Sequence, residues 1–101
     1  MPIALSNAQK RYLRGLAHDL KPVVMVGAKG VGPSLLAELD QALEMHELIK
    51  VKVSADDRDQ RDALIQSLLE PSDAALVARI GHVAVLYRRR SENPLVILPR
   101  G

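Results

Sequence analysis

An apolar run that ends abruptly in a glycine-rich loop sets the architecture open to this chain. The run is Val23-Val24-Met25-Val26, the loop is Gly27-Ala28-Lys29-Gly30-Val31-Gly32, and Pro33 follows. A proline in the first turn of a helix needs no hydrogen-bond partner for its nitrogen, so Pro33 predicts a helix start. The segment is therefore strand, loop, helix. Gly27 and Gly30 flank two residues, which lets backbone N–H groups approach an anion with no Cβ in the way. The helix behind them points the positive end of its dipole at the same place, and Lys29 adds a full charge. Such a loop is built to face phosphate.

The flanking elements follow from periodicity and caps. Ser6-Asn7-Ala8-Gln9 has the spacing of a capping box, with Ser6 at the N-cap of a first helix. At 100° per residue, Ala8, Tyr12, Leu13, Leu16 and Leu20 share an inner arc, and Lys10, Arg11, Arg14, His18 and Lys21 gather opposite. A second helix is expected from Pro33 to about Met45, with Leu35, Leu36, Leu39, Ala42 and Leu43 inward. Leu48 to Val53 alternates as a strand, with Ile49, Val51 and Val53 on one side and Lys50 and Lys52 on the other. Ser54 with Asp57 predicts the start of a third helix, carrying Ala63, Leu64, Leu68 and Leu69 on its core side and stopping at Leu69 before Pro71. Ala75–Ile80 and Val83–Tyr87 form a hairpin around Gly81-His82. In that register Leu76, Ala78, Ile80, Val83, Val85 and Tyr87 share one face. Arg79 and Arg88 take the other, where the apolar Val77 and Leu86 call for a cover that the first helix is placed to supply. Residues 91–101 read as either a tail or an edge strand.

The expected fold is α/β: a single domain over residues 1–101, two-layered, with a mixed sheet of about four strands in the order α-β-α-β-α-β-β. The parallel pair is joined by a crossover helix, and an extra helix precedes it.

Charge is strongly segregated along the 101 residues. Residues 1–35 balance to +4, residues 36–73 to −6 and residues 74–101 to +4, which together give the net +2. Two basic ends around an acidic middle suggest a molecule with one positive side, the footprint of a polyanion binder. There are no cysteines, hence no disulfide framework and no thiolate chemistry. No apolar run approaches the ~20 residues that span a bilayer. A monomeric, cytoplasmic protein is the expectation.

Catalysis finds no support in the motifs. The glycines run G-x-x-G-x-G, the reverse of the dinucleotide fingerprint, and no Lys-Ser or Lys-Thr follows to make a phosphate loop of the Walker type. His18, His46 and His82 fall in three separate elements, and no metal-ligand spacing occurs. The chain reads as a non-enzyme without cofactor or metal. Among nucleic-acid modules, those that stack bases on aromatics are disfavoured, because Tyr12 and Tyr87 are the only aromatic residues. Backbone clamping by the G-x-x-G loop, supported by basic patches, is the remaining mode.

Four blocks carry a resemblance across about 90 residues: Leu5-Ser6-Asn7-Ala8-Gln9-Lys10-Arg11-Tyr12-Leu13-Arg14, Val26-Gly27-Ala28-Lys29-Gly30, His46-Glu47-Leu48-Ile49-Lys50-Val51-Lys52-Val53, and Ile80-Gly81 with Val85-Leu86-Tyr87-Arg88. In these the chain resembles the bacterial stand-alone CRM domain (chloroplast RNA splicing and ribosome maturation), the YhbY type. The resemblance implies a fold similar to the C-terminal domain of translation initiation factor three. It also implies RNA binding through the loop and association with precursors of the large ribosomal subunit. The acidic start of the third helix, Asp56-Asp57-Arg58-Asp59, departs from an RNA surface. The expected contacts are Gly27, Ala28, Lys29 and Gly30 in the loop, Lys10, Arg11 and Arg14 on the first helix, and Lys50, Lys52 and Arg88 from the sheet. The competing function is a protein-interaction module that docks on a ribosomal protein or assembly factor.

Overall fold

The computed structural model describes residues 4–27 and 29–100. Its elements are α1 (Asn7–Ala17), β1 (Pro22–Val26), α2 (Pro33–His46), β2 (Leu48–Val53), α3 (Arg58–Ser72), β3 (Ala75–Ile80) and β4 (Val83–Tyr87). The strands form one mixed sheet in the order β1-β2-β4-β3. Strands β1 and β2 are parallel and the two pairings of β4 are antiparallel. The α/β class, element order and strand count are those expected from the sequence.

Local chemistry explains most boundaries. The Ser6 hydroxyl accepts the Gln9 N–H at 3.1 Å, and the Gln9 side chain accepts the Ser6 N–H at 3.0 Å, closing the capping box of α1. Gly81, with φ 58°, turns the hairpin and sets Ile80 opposite Val83. Helix α3 starts later than Ser54 suggested. Ser54 instead extends the β1 pairing through its N–H to the Val26 carbonyl at 2.9 Å, and Asp57 caps the helix by accepting the Gln60 N–H at 2.8 Å. Nor does Pro71 end the helix at Leu69. It is accommodated in a last turn that runs to buried Ser72, whose hydroxyl donates to the Leu68 carbonyl at 2.6 Å.

Both faces of the sheet are covered. Helices α2 and α3 bury Leu39, Leu43, Ile65 and Leu68 against Val24, Val26, Ile49, Val51, Val53, Ala84 and Leu86. On the opposite face α1 buries Leu13 and Ala17 against Leu48, Val77, Val85 and Tyr87. This corrects the expected placement of α1. It covers the face of Val85 and Tyr87, while α2 and α3 cover the face of Leu86, Arg79 and Arg88. A β-bulge between Leu76 and Ala78 is the cause of the mis-sorted strand. It returns Leu76 to the α2–α3 side and turns Val77 with Ala78 toward α1.

The buried stripe of α1 is also narrower than the helical period implies. Ala8 is exposed, and Tyr12, Leu16 and Leu20 remain 43%, 45% and 40% exposed, because the helix meets the sheet only along Leu13 and Ala17. On α3, Ala63 is exposed and Ile65 takes the core place.

The C-terminal segment is neither an edge strand nor frayed. Val96 and Leu98 pack onto the α1-side core, and Gln9 donates to the Pro99 carbonyl at 2.9 Å. The anchor is Glu47, fully buried at φ 60°. Its carboxylate accepts the N–H groups of Arg90, Leu95 and Val96 at 2.7, 2.8 and 2.7 Å.

Candidate nucleic-acid interface

The glycine loop leaves β1 at the sheet end where β2 also finishes, and the hairpin turn reaches the same end through the Val53 N–H, which donates to the His82 carbonyl at 2.6 Å. Within the loop, the Gly30 N–H donates to the Gly27 carbonyl at 3.0 Å. Gly30 has φ 75°, a conformation that costs an L side chain energy, so glycine is required there by the backbone itself. Gly27 is different. Its backbone lies outside the left-handed region, and a Cβ placed on it would meet none of the described residues within 4 Å. Among the described residues nothing demands that Gly27 be glycine. Lys29 is exposed beside it; Ala28, the fourth loop residue expected to make contact, lies outside the described residues.

Helix α2 begins just behind the loop. Gly32 is its N-cap and provides no side-chain cap, whereas α1 and α3 are capped by Ser6 and Asp57. The first-turn N–H groups of α2 therefore keep their donor capacity toward the loop side. A surface groove joins Lys29, Gly30, Gly32 and Ser34 to exposed Met25 on edge strand β1.

Strand alternation places the β2 lysines. Leu48 belongs to the α1-side core and Ile49 to the α2–α3 core, so Lys50 and Lys52 project on the α1 side. Lys50 donates to the His18 carbonyl at the end of α1, at 3.2 Å. Lys52 is exposed and sits in a cross-sheet row, Met25–Lys52–Val83–Ile80, that α1 does not reach. Arg11 and Arg14 are exposed on α1. Leu16 faces a groove shared with Leu48 and Val96, and Arg14 stands about 200° around the helix from it. Lys10 departs from the expected basic arc. It lies on the Leu13 side, half-buried along a groove with Leu5, Gln66 and Glu70.

Arg88 is not brought to this surface. Its guanidinium lies on the α2–α3 side, bonded to the Asp40 carboxylate at 2.7 Å, the Ser72 carbonyl at 3.0 Å and Glu44 at 3.3 Å. It ties α2 to the C-terminal end of α3, with its charge answered by two carboxylates. Arg79 is likewise paired with Asp62 of α3. Most of the acidic middle of the sequence thus lies in the α2–α3 layer, with Arg11 and Arg14 across the sheet on α1, while Lys10 and Lys29 border grooves that also hold Glu70 and Glu38. Tyr87, buried in the α1-side core, has its phenol pushed above its ordinary value, first by burial and then by the charge of Glu47, with Arg89 opposing. Among the described residues no three His, Asp or Glu side chains converge as a metal site would require.

The family model of the CRS1/YhbY (CRM) domain matches residues 5–88. The chain belongs to the CRM domain family. An RNA-binding protein of Haemophilus influenzae is 49% identical over 96 residues, which cover 95% of this chain and 96% of that protein. A probable RNA-binding protein of Bacillus subtilis is 38% identical, covering 94% of this chain and 99% of the relative. The solution structure of a hypothetical Staphylococcus aureus protein superposes on this CRM domain with a TM-score of 0.82 at 38% identity, covering 95% of this chain and all of that one. The match includes both the glycine loop and the α1 surface.

Sequence reasoning missed Glu47 as the anchor of the C-terminal segment. One signal was present: a carboxylate stands at the C-terminal end of α2, where the helix dipole disfavours negative charge and where glycine commonly takes the left-handed position. Its partners lie 43 to 49 residues away, beyond any local pattern.

Proposed function

We propose that this CRM domain is a non-catalytic RNA-binding protein that works as a monomer on precursors of the large ribosomal subunit. The observation that carries this reading is the sorting of charge across the sheet. Arg11, Arg14, Lys50 and Lys52 belong to the α1 side, next to a glycine loop with an exposed lysine, while the carboxylates of α2 and α3 lie toward the other side, Glu38 reaching the loop groove. RNA phosphates would meet the backbone N–H groups at Gly27 and Gly30 and the uncapped start of α2, with Lys29 neutralising one of them. The open row through Lys52 and the arginines of α1 would extend the track along the sheet. The relatives named as RNA-binding proteins support RNA as the partner, and the ribosomal assignment rests on the family resemblance. Arg88 is held by its ion pairs with Asp40 and Glu44 and Lys10 is half-buried, so both contribute less than the other basic residues.

A second reading, docking on a ribosomal protein or assembly factor, draws on the exposed apolar groove of Leu16, Leu20 and Val23. The two differ in their response to salt. Affinity for a structured fragment of large-subunit ribosomal RNA should fall steeply as salt rises, because each neutralised phosphate releases counterions. Replacing Lys10, Arg11 and Arg14 with Ala should weaken that binding at least tenfold at low salt, an order expected for the loss of two or three phosphate contacts, with thermal stability nearly unchanged. Salt-independent binding, or a triple variant that binds like the parent, would overturn the electrostatic account.

A further inference from the structure

The glycine loop separates two depressions. On its edge-strand side lies the groove of Lys29 and the α2 start, with Glu38 at its far wall. On its other side lies a cleft of about 500 Å³, bounded by Gly27 and Gly30, floored by Ala63 and Leu64 of α3, and rimmed by Asp56 and Gln60. The Asp56 carboxylate has no hydrogen-bond or ion-pair partner among the described residues. Asp57, not Asp56, caps α3. The Gln60 side-chain oxygen accepts the Asp56 N–H at 3.4 Å, which leaves its amide N–H₂ free to donate at the same rim of the cleft.

Asp56 repels a phosphate from this cleft, whereas the other side offers Lys29 and the uncapped N–H groups of the α2 start to set against Glu38. A neutral base on the same nucleotide has no such penalty. Its flat face meets the apolar floor and its polar edge meets the rim. A carboxylate only accepts hydrogen bonds, so it favours a base that offers adjacent donors. Guanine presents N1–H and N2–H₂ side by side, next to an O6 acceptor. Adenine and cytosine each place an acceptor nitrogen beside their amino group, and uracil sets its single N–H between two carbonyls. Guanine alone sets two donors on the carboxylate while its O6 accepts from the Gln60 amide; the Watson–Crick edge of each other base offers the carboxylate a single donor.

We infer that the cleft between the glycine loop and α3 is a guanine-selective base subsite, in which the Asp56 carboxylate accepts from N1–H and N2–H and the Gln60 amide donates to O6. This rests on the RNA-binding reading and adds to it a source of sequence preference. It also gives a role to the acidic start of α3, which a surface made only for phosphate does not explain.

The test titrates isotope-labelled protein with the pentaribonucleotides UUGUU, UUIUU and UUAUU, where I is inosine, and follows the backbone amide shifts. Guanosine should bind roughly tenfold more tightly than adenosine, the order supplied by one bidentate base contact. Inosine, which keeps N1–H and O6 but lacks the N2 amino group, should fall between them. Asp56→Asn leaves the Asp57 cap in place and should reduce the guanosine preference to within about twofold. Lys29→Ala should weaken all three ligands alike and keep the preference. Equal affinity of the parent for the three ligands, or an Asp56→Asn variant that keeps the preference, overturns the guanine subsite and leaves the RNA reading standing. Failure of the parent to bind any of them or the structured RNA fragment overturns both.

Discussion

Leu13→Ala should cost ~2–5 kcal/mol of folding stability, the range for truncating a buried leucine. Leu13 is fully buried in the α1-side core with Ala17, Leu48, Val85 and Tyr87. Its loss leaves a cavity at the centre of the contact between the helix and the sheet, where Ala17 is the other buried residue of α1. Leu16→Ala is the informative partner, because helical periodicity alone ranks the two leucines together. Leu16 is 45% exposed and should cost only about 1 kcal/mol. Each kcal/mol lowers the midpoint of thermal unfolding by about 4–8 °C in a domain of this size, so the two variants are readily separated by calorimetry. Similar midpoints for both would mean that α1 does not sit on the sheet as described.

Glu47→Ala should be comparably damaging, by about 3 kcal/mol, for a different reason. The Arg90, Leu95 and Val96 N–H groups all end on this one buried carboxylate. Removing it leaves three donors without a partner, each costing on the order of 1–3 kcal/mol while buried. The total is capped because the segment can lift away and hydrate its amides. That release also uncovers Val96 and Leu98, which pack beside Tyr87. Amide hydrogen exchange at Leu95 and Val96 should therefore rise much more than exchange in β2 and β4. Glu47→Gly should cost less than Ala by about 1 kcal/mol, since glycine relieves the left-handed backbone at φ 60°. Protected tail amides in a Glu47→Ala variant of parental stability would refute the anchor.

Features written within a few residues were legible in the sequence. The capping box at Ser6, the glycine loop, the alternation of β2 and the Gly81-His82 turn each depend on neighbours in the chain. Features that depend on distant partners were not. The bulge at Val77 leaves no mark in an apolar strand, yet it reassigns Leu76 to the other face and, with it, the face that α1 covers. Arg88 stands in a strongly basic run, and only the fold shows that Asp40 and Glu44 answer its charge. The candidate surface divides in the same way. Lys29, Arg11, Arg14 and Lys52 are exposed, while Lys10 is half-buried along the groove with Gln66 and Glu70, and Arg88 is drawn into contacts more than 40 residues away in the chain.

The claim that the loop binds phosphate is tested most directly by two single changes measured on one structured RNA fragment. Gly30 is a poor place to add a charge, because its φ of 75° makes any substitution strained. Gly27 carries no such constraint and has open space around it, so Gly27→Asp introduces a negative charge while leaving the fold intact. Gly27→Ala controls for the added Cβ. The measurement is RNA affinity as a function of salt, with unfolding curves recorded in parallel. Lys29→Ala should reduce the magnitude of the log–log salt slope by about 0.7–0.9, the value for one lost phosphate contact. Gly27→Asp should nearly abolish binding at parental stability, with Gly27→Ala in between. A Lys29→Ala slope equal to the parent's, together with a folded Gly27→Asp variant that still binds RNA as the parent does, would contradict the account and reduce the loop to a turn.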